Sequence, residues 1–243
     1  MRKHVRCAMV AIALAGLTLT TVKAQEKKEE EKLSFTLSLN HDAFFGFNPM
    51  LSGAYKLSDK AALTFYGIQW GAGTGAAWGN WTEFGLGASF NAGESITINP
   101  QLGFTMGNLL SSFTSGPSVV GDGIVPNVTV NLNSSKMEGQ LYAGYYAQLR
   151  NEGALGANYV HYWTNLGYKV SPMFSLGGHF EHLFRDGGSN NTKFDQYYTW
   201  LGPYVQFSKG IAGLRLSAGA NLRDNAANTG GIDFYKLAFF VNL

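Results

Sequence analysis

The sequence predicts an all-β protein, a closed transmembrane antiparallel up-and-down β-barrel of about twelve strands. Three observations carry this. Apolar and polar residues alternate at period two through most of the chain after residue 32. Short turns alternate with longer Gly/Asn/Ser-rich connections, the asymmetry of barrels that cross a membrane. Charged residues are only 14% of the 243, beside 31 glycines and 14% aromatics. An ordinary soluble domain carries about 25% charge.

The chain opens with a basic stretch (Arg2, Lys3, Arg6), an apolar run from Ala8 to Leu19, and Val22-Lys23-Ala24. This reads as a secretory signal peptide over 1–24, cut before Gln25; its apolar run is shorter than the roughly 20 residues a membrane helix needs. Its removal takes four of the 18 basic residues and none of the 16 acids, leaving 14 against 16. The formal charge of +2 therefore becomes slightly negative, and no nucleic-acid footprint survives. The single cysteine, Cys7, leaves with the signal, so neither a disulfide nor a thiolate nucleophile is expected. Residues 25–32, which include Glu26 to Lys32, are too polar to bury and read as a solvated charged leader in the periplasm.

The barrel is expected over 33–243. Leu33, Phe35, Leu37 and Leu39 alternate with Ser34, Thr36, Ser38 and Asn40; equally clear alternation runs through 96–106, 140–150 and 214–223. With the weaker segments, strands are expected near 33–40, 49–57, 61–70, 80–91, 95–106, 124–133, 137–149, 158–169, 173–184, 196–207, 211–222 and 232–243. In 61–70 the face is ambiguous, since Leu63 and Phe65 compete with Tyr66, Ile68 and Trp70.

Five short turns, near 58–60, 92–94, 134–136, 171–172 and 208–210, alternate with six longer loops near 41–48, 71–79, 107–123, 150–157, 185–195 and 223–231. Both termini then lie on the side of the short turns. A soluble barrel would also alternate but would turn its apolar face inward. Trp70, Trp78, Trp81, Phe90, Phe174, Phe184, Tyr197 and Phe207, near strand ends, are expected as two interfacial girdles.

In the last strand, Tyr235, Leu237, Phe239, Val241 and Leu243 keep the apolar alternation to the final residue. This resembles the C-terminal signature of Gram-negative outer-membrane β-barrel proteins, porin-like ones included. The resemblance implies residence in the outer membrane, contact with outer-membrane lipid, and recognition of the terminal strand by the barrel-assembly machinery. Leu243 stands where that group usually carries Phe.

If apolar residues face lipid, the alternate set faces the lumen and is the candidate functional set. It comprises Lys56, Glu83 and Gln101; Glu138, Gln140, Tyr142, Tyr146 and Gln148; His161, Trp163 and Asn165; His179 and Glu181; Tyr198, Trp200 and Tyr204; and Arg215, Asn221 and Lys236. Lys56, Arg215 and Lys236 fall on the second, eleventh and twelfth expected strands, while Glu83, Glu138 and Glu181 fall on the fourth, seventh and ninth. Two opposed charged walls would set up a transverse field that selects solutes. The bland alternative is that these charges are satisfied across a plugged interior. Inward aromatics among Asn and Gln would stack on passing rings or simply fill a narrow lumen.

The expected function is thus a narrow passive porin-like channel for ions or small polar solutes, with a non-conducting structural or surface-exposed barrel as the alternative. A second alternative is an outer-membrane barrel enzyme, lipid-modifying or hydrolytic. His179 and Glu181, two apart on one strand face, could form its general-base pair. No metal site is expected, because His161, His179 and His182 lack close ligand spacing, and no cofactor is implied.

Overall fold

The computed structural model describes residues 32–71, 81–111, 118–151, 156–189, 194–223 and 231–243. The expected signal peptide, the leader up to residue 31, and Trp78 lie outside the described residues. Twelve strands follow one another: β1 (Leu33–Asp42), β2 (Gly46–Ser58), β3 (Ala61–Trp70), β4 (Trp81–Asn91), β5 (Ile96–Gly107), β6 (Val119–Asn133), β7 (Met137–Gln148), β8 (Tyr159–Ser171), β9 (Phe174–Asp186), β10 (Phe194–Lys209), β11 (Ala212–Asn221) and β12 (Asp233–Asn242). Each pairs antiparallel with its neighbours in sequence, and β1 pairs with β12, so the sheet closes without an edge.

The register at the seam ties the two ends of the barrel segment together. Leu37 faces Val241, Leu39 faces Phe239, and Phe35 exchanges both backbone hydrogen bonds with Leu243 (3.1 and 2.8 Å). The alternating face of β12 points outward, with Tyr235, Leu237 and Phe239 all more than 40% exposed. A strand of about ten residues rises about 34 Å, and at a tilt near 45° it covers the roughly 25 Å apolar band of a membrane barrel.

The outer wall is apolar, carrying exposed Leu51, Leu63, Leu86, Phe104, Leu141, Leu166, Leu201 and Leu216 among others. The ambiguity in β3 is resolved: Thr64, Tyr66, Ile68 and Trp70 are buried inside, while Leu63 is exposed. Large inward rings need space beside them, and glycines one or two strands away supply it. A Cβ on Gly85 would come within 2.1 Å of the Tyr66 ring, and one on Gly167 within 2.1 Å of the Tyr204 hydroxyl.

Three expectations about the loop end are corrected. Trp70 and Trp81 do not belong to an interfacial girdle: they are 7% and 4% exposed, face each other across the β3–β4 pair, and stack inside the lumen. Their parity, shared with Tyr66 and Glu83, sets this orientation. The loop expected over 41–48 is instead a tight turn at 43–45 between β1 and β2, closed by Gly46 with φ of 69°. β6 also starts earlier than expected, at Val119, because its pairing with β5 skips Gly121 and Asp122 at an irregularity where Gly121 has φ of 69°.

A closed sheet of this kind resists detergent until heated. The folded protein should migrate at different positions on a denaturing gel before and after boiling; identical migration would contradict the closed barrel.

Candidate functional site

Glu83, Glu138, Tyr142, Tyr146, His161, Asn165, His179, Glu181, Tyr198, Trp200, Tyr204 and Asn221 are buried inside the closed sheet, and the arrangement there is layered. Nearest the loop end, the 43–45 turn folds into the mouth. The Asp42 carboxylate, 3% exposed, accepts the backbone N–H of Phe44 (2.9 Å) and Phe45 (2.6 Å), so the turn is braced by its own leading residue. Phe44 and Phe45 are driven into the barrel, 6% and 3% exposed. Phe45 meets Trp70 at 4.7 Å, Trp81 at 5.9 Å and His161 at 5.8 Å, and Phe44 meets Tyr198 at 5.0 Å between ring centroids.

A second segment closes from the opposite wall. Asp122, freed by the β6 irregularity, accepts the backbone N–H of Leu110 (2.8 Å) and Ser111 (2.9 Å). Leu109 and Leu110 are thereby buried with Tyr146, Ala157, Tyr159 and Leu183. Among the described residues the loop end therefore carries an apolar core.

Beneath it sits Glu181, with no exposed surface. Its Oε1 accepts from Tyr198 (2.7 Å) and lies 2.8 Å from His161 Nε2; its Oε2 is bonded by Lys236 and lies 3.2 Å from His179 Nε2, without the alignment of a hydrogen bond. Asn165 engages the other nitrogen of His179 at 2.8 Å. Lys236 also lies 5.7 Å from the ring centroids of Trp163 and Trp200.

Glu138 forms a separate group nearer the turn end. It accepts from Tyr204 (3.1 Å) and Gln206 (2.8 Å), with Arg215 Nη2 at 4.0 Å; Arg215 also donates to Gln206 and covers the Tyr204 ring. Lys56 reaches neither of the other cations. It pairs with Asp59 in the β2–β3 turn at 2.9 Å, and its hydrogen bond and charge hold that carboxyl below the usual carboxylate range.

The two opposed charged walls are therefore corrected. Lys236 and Arg215 cross the lumen to meet Glu181 and Glu138, since a narrow interior leaves buried charges too poorly solvated to stand apart. Glu83 differs from the other two acids. Tyr66 donates to its Oε1 (2.5 Å) and Trp70 to its Oε2 (3.1 Å), and among the described residues no cation is within ion-pair distance.

Between Glu83 and the turn end lies a cavity of about 380 Å³. Its walls are Ser34, Thr36 and Ser52 on one side and Asn99, Gln101, Asn127, Asn131 and Gln140 on the other, with Tyr66, Tyr142 and Trp163. Trp163 stacks on Tyr142 at 3.9 Å and donates to Gln140 (2.9 Å), which donates in turn to Asn131 (3.0 Å). Gln101 donates to Thr64, which donates to Asn99. The volume falls within the roughly 300–1,000 Å³ range of small-molecule pockets.

Of the residues expected from sequence, Glu83, Gln101, Gln140, Tyr142 and Trp163 line this cavity. His161, His179, Glu181, Tyr198 and Trp200 form the buried layer below the mouth, and Tyr146 packs in the apolar core beside them. Gln148 lies at the loop rim, donating to Ser189 at 2.8 Å, and Asn221 accepts the Thr199 N–H. Sequence reasoning missed Asp42, Phe44, Phe45, Leu109, Leu110, Asp122 and Asn127. The first three carried a readable signal, an Asp two residues before an aromatic pair and four before a glycine, which is turn chemistry that could have been recognised.

The model of a family of unknown function, DUF6733, matches residues 1–243. No curated protein matches the sequence. Among solved structures, the chain is similar to the COG4313 outer membrane channel from Pseudomonas putida F1, at 13% identity, 90% coverage of this chain, 100% of that one and a TM-score of 0.52. It is similar to the NanC porin at 10% identity, covering 87% and 100%, with a TM-score of 0.50. LpxR from Salmonella typhimurium aligns at 10% identity, covering 86% and 99%, with a TM-score of 0.47. What is shared with the first two, at these identities, is the fold, a closed β-barrel of the kind those outer-membrane proteins have.

The crossing ion pair can be tested directly. Lys236→Met alone and Glu181→Leu alone should each destabilise the barrel by about 3 kcal/mol, because each leaves a buried partner uncompensated. The double variant should cost clearly less than the sum, measured by denaturant unfolding from micelles; additive losses would show that the pair does not couple.

Proposed function

The chain belongs to the DUF6733 family, and from that premise we propose that it is an outer-membrane, porin-like barrel through which small polar solutes pass by way of the cavity on its turn side. The observation that carries this reading is the coexistence of an apolar outer wall with a polar chamber inside the same closed sheet. The short turns and both termini face the periplasm in this reading, so the chamber opens inward and the Phe44–Phe45 turn caps the outer mouth. The outward alternation of Tyr235, Leu237, Phe239, Val241 and Leu243 suits recognition of β12 by the barrel-assembly machinery, with outer-membrane lipid around the rest of the wall.

The cap decides how such a channel behaves. Burying two Phe side chains contributes about 3–6 kcal/mol, so a mouth opened by withdrawing the turn is populated at roughly one part in 10² to 10⁴. Conduction is therefore rare and brief rather than continuous. A non-conducting barrel is the second reading, and the packed core of the loop end favours it. Catalysis through His179 and Glu181 has weaker support, because Glu181 is wholly buried and both its oxygens already face Lys236, Tyr198 and two histidines.

Single-channel recording in planar bilayers separates the two. The wild-type protein should show infrequent short steps, and the Phe44→Ala/Phe45→Ala double variant should raise the open fraction by at least about tenfold. Silence from both proteins, each shown to be folded by its shift on boiling, would leave the non-conducting barrel.

A further inference from the structure

We propose that the chamber binds a small organic cation, a protonated primary amine with a short apolar tail, at its Glu83 end. This deepens the reading of the chamber as a solute site and rests on it. The first observation is charge. Among the residues that line the cavity, Glu83 is the one carboxylic acid, and no Lys, Arg or His joins it. The lumen cations are committed elsewhere: Lys236 is held by Glu181, Arg215 lies against Glu138, and Lys56 pairs with Asp59 in the turn.

The second observation is independent and concerns Asn127. Its Nδ2 donates to the Tyr66 hydroxyl (3.0 Å) and to the Val125 carbonyl (3.1 Å), which fixes which end of the amide is which. Its Oδ1 is buried and, among the described residues, accepts from none, although the residue is 7% exposed and lines the cavity. A buried acceptor left without a donor is costly, and natural proteins rarely tolerate one without a partner.

The two are joined through one side chain. Tyr66 donates to Glu83 Oε1 and accepts from Asn127, so the carboxylate and the orphan amide belong to one hydrogen-bonded unit at the closed end of the chamber. A carboxylate and a bare amide oxygen are both acceptors, and the ligand that satisfies both carries several donors and a positive charge. An ammonium has three N–H donors and no acceptor. An anion would meet only acceptors there, and a neutral alcohol brings one donor and no charge. Tyr142 and Met50, farther along the wall, offer apolar surface to a short alkyl tail. Gly103 leaves room for the Glu83–Tyr66 pair itself, since a Cβ there would stand 2.8 Å from Glu83 Oε1 and 2.5 Å from the Tyr66 hydroxyl.

Titration calorimetry on the purified protein folded in detergent tests this with butylammonium chloride, sodium butyrate and n-butanol as probes. Butylammonium should give a saturable isotherm, and the other two should not. Glu83→Gln should weaken butylammonium at least about tenfold, and Asn127→Ala, which keeps the carboxylate, several-fold. The gel shift on boiling checks that each variant is folded. No saturable butylammonium binding, equal binding of butyrate or butanol, or unchanged affinity in Glu83→Gln would overturn the proposal. Conductance in bilayers judges the underlying reading separately: amine binding without conductance keeps the site and removes transport, and conductance without amine binding does the reverse.

Discussion

A backbone that crosses hydrocarbon must satisfy its own hydrogen bonds, and everything else in this molecule follows from that constraint. Twelve strands can do so only by closing β12 onto β1, which removes the last unpaired edge. Closure then divides every strand into two faces with different solvents. The outer face is free to be almost uniformly apolar, whereas the inner face must accommodate every polar side chain in a space barely wider than the side chains themselves.

That narrowness explains the interior chemistry. In a wide, wet lumen Lys236, Arg215, Glu138 and Glu181 could remain apart and each keep its own water. Here water is largely excluded, so the charges reach across to one another and to tyrosine hydroxyls and amides. The same shortage of room couples glycine to aromatic residues: Tyr66 over Gly85 and Gly103, and Tyr204 over Gly167 and Gly177, are single packing units in which neither member can be exchanged alone. The chain's richness in glycine is in part the space these rings occupy.

The loop end shows how two short acidic side chains turn an opening into a core. Asp42 and Asp122 each collect a pair of backbone N–H groups and thereby aim Phe44, Phe45, Leu109 and Leu110 into the mouth. The barrel is consequently asymmetric along its axis, with an apolar stopper at one end and a polar chamber at the other. Glu83 and Asn127 sit at the boundary, where the polar demand of the chamber meets a wall that supplies no cation.

Period-two alternation is a local property, and it sufficed for the strands, their order and the inward parity of residues such as Glu83, His161, Glu181 and Tyr204, because side-chain direction in a strand depends only on the backbone on either side. It also sufficed for the apolar alternation of β12. It could not say which inward charges meet, because contacts across the lumen depend on register, shear and tilt summed around the whole ring; Lys236 finding Glu181 and Lys56 finding Asp59 are outcomes of closure. Parity alone likewise could not choose between Leu63 and Tyr66 in β3, where both faces are apolar, or keep Trp70 and Trp81 from being taken for a girdle. The sequence by itself determined which residues share a face. Only the tertiary structure decided which of them touch, and hence that the lumen packs an apolar core at its loop end and leaves, at the boundary with the chamber, an acid with no cation beside it and an amide oxygen with no donor.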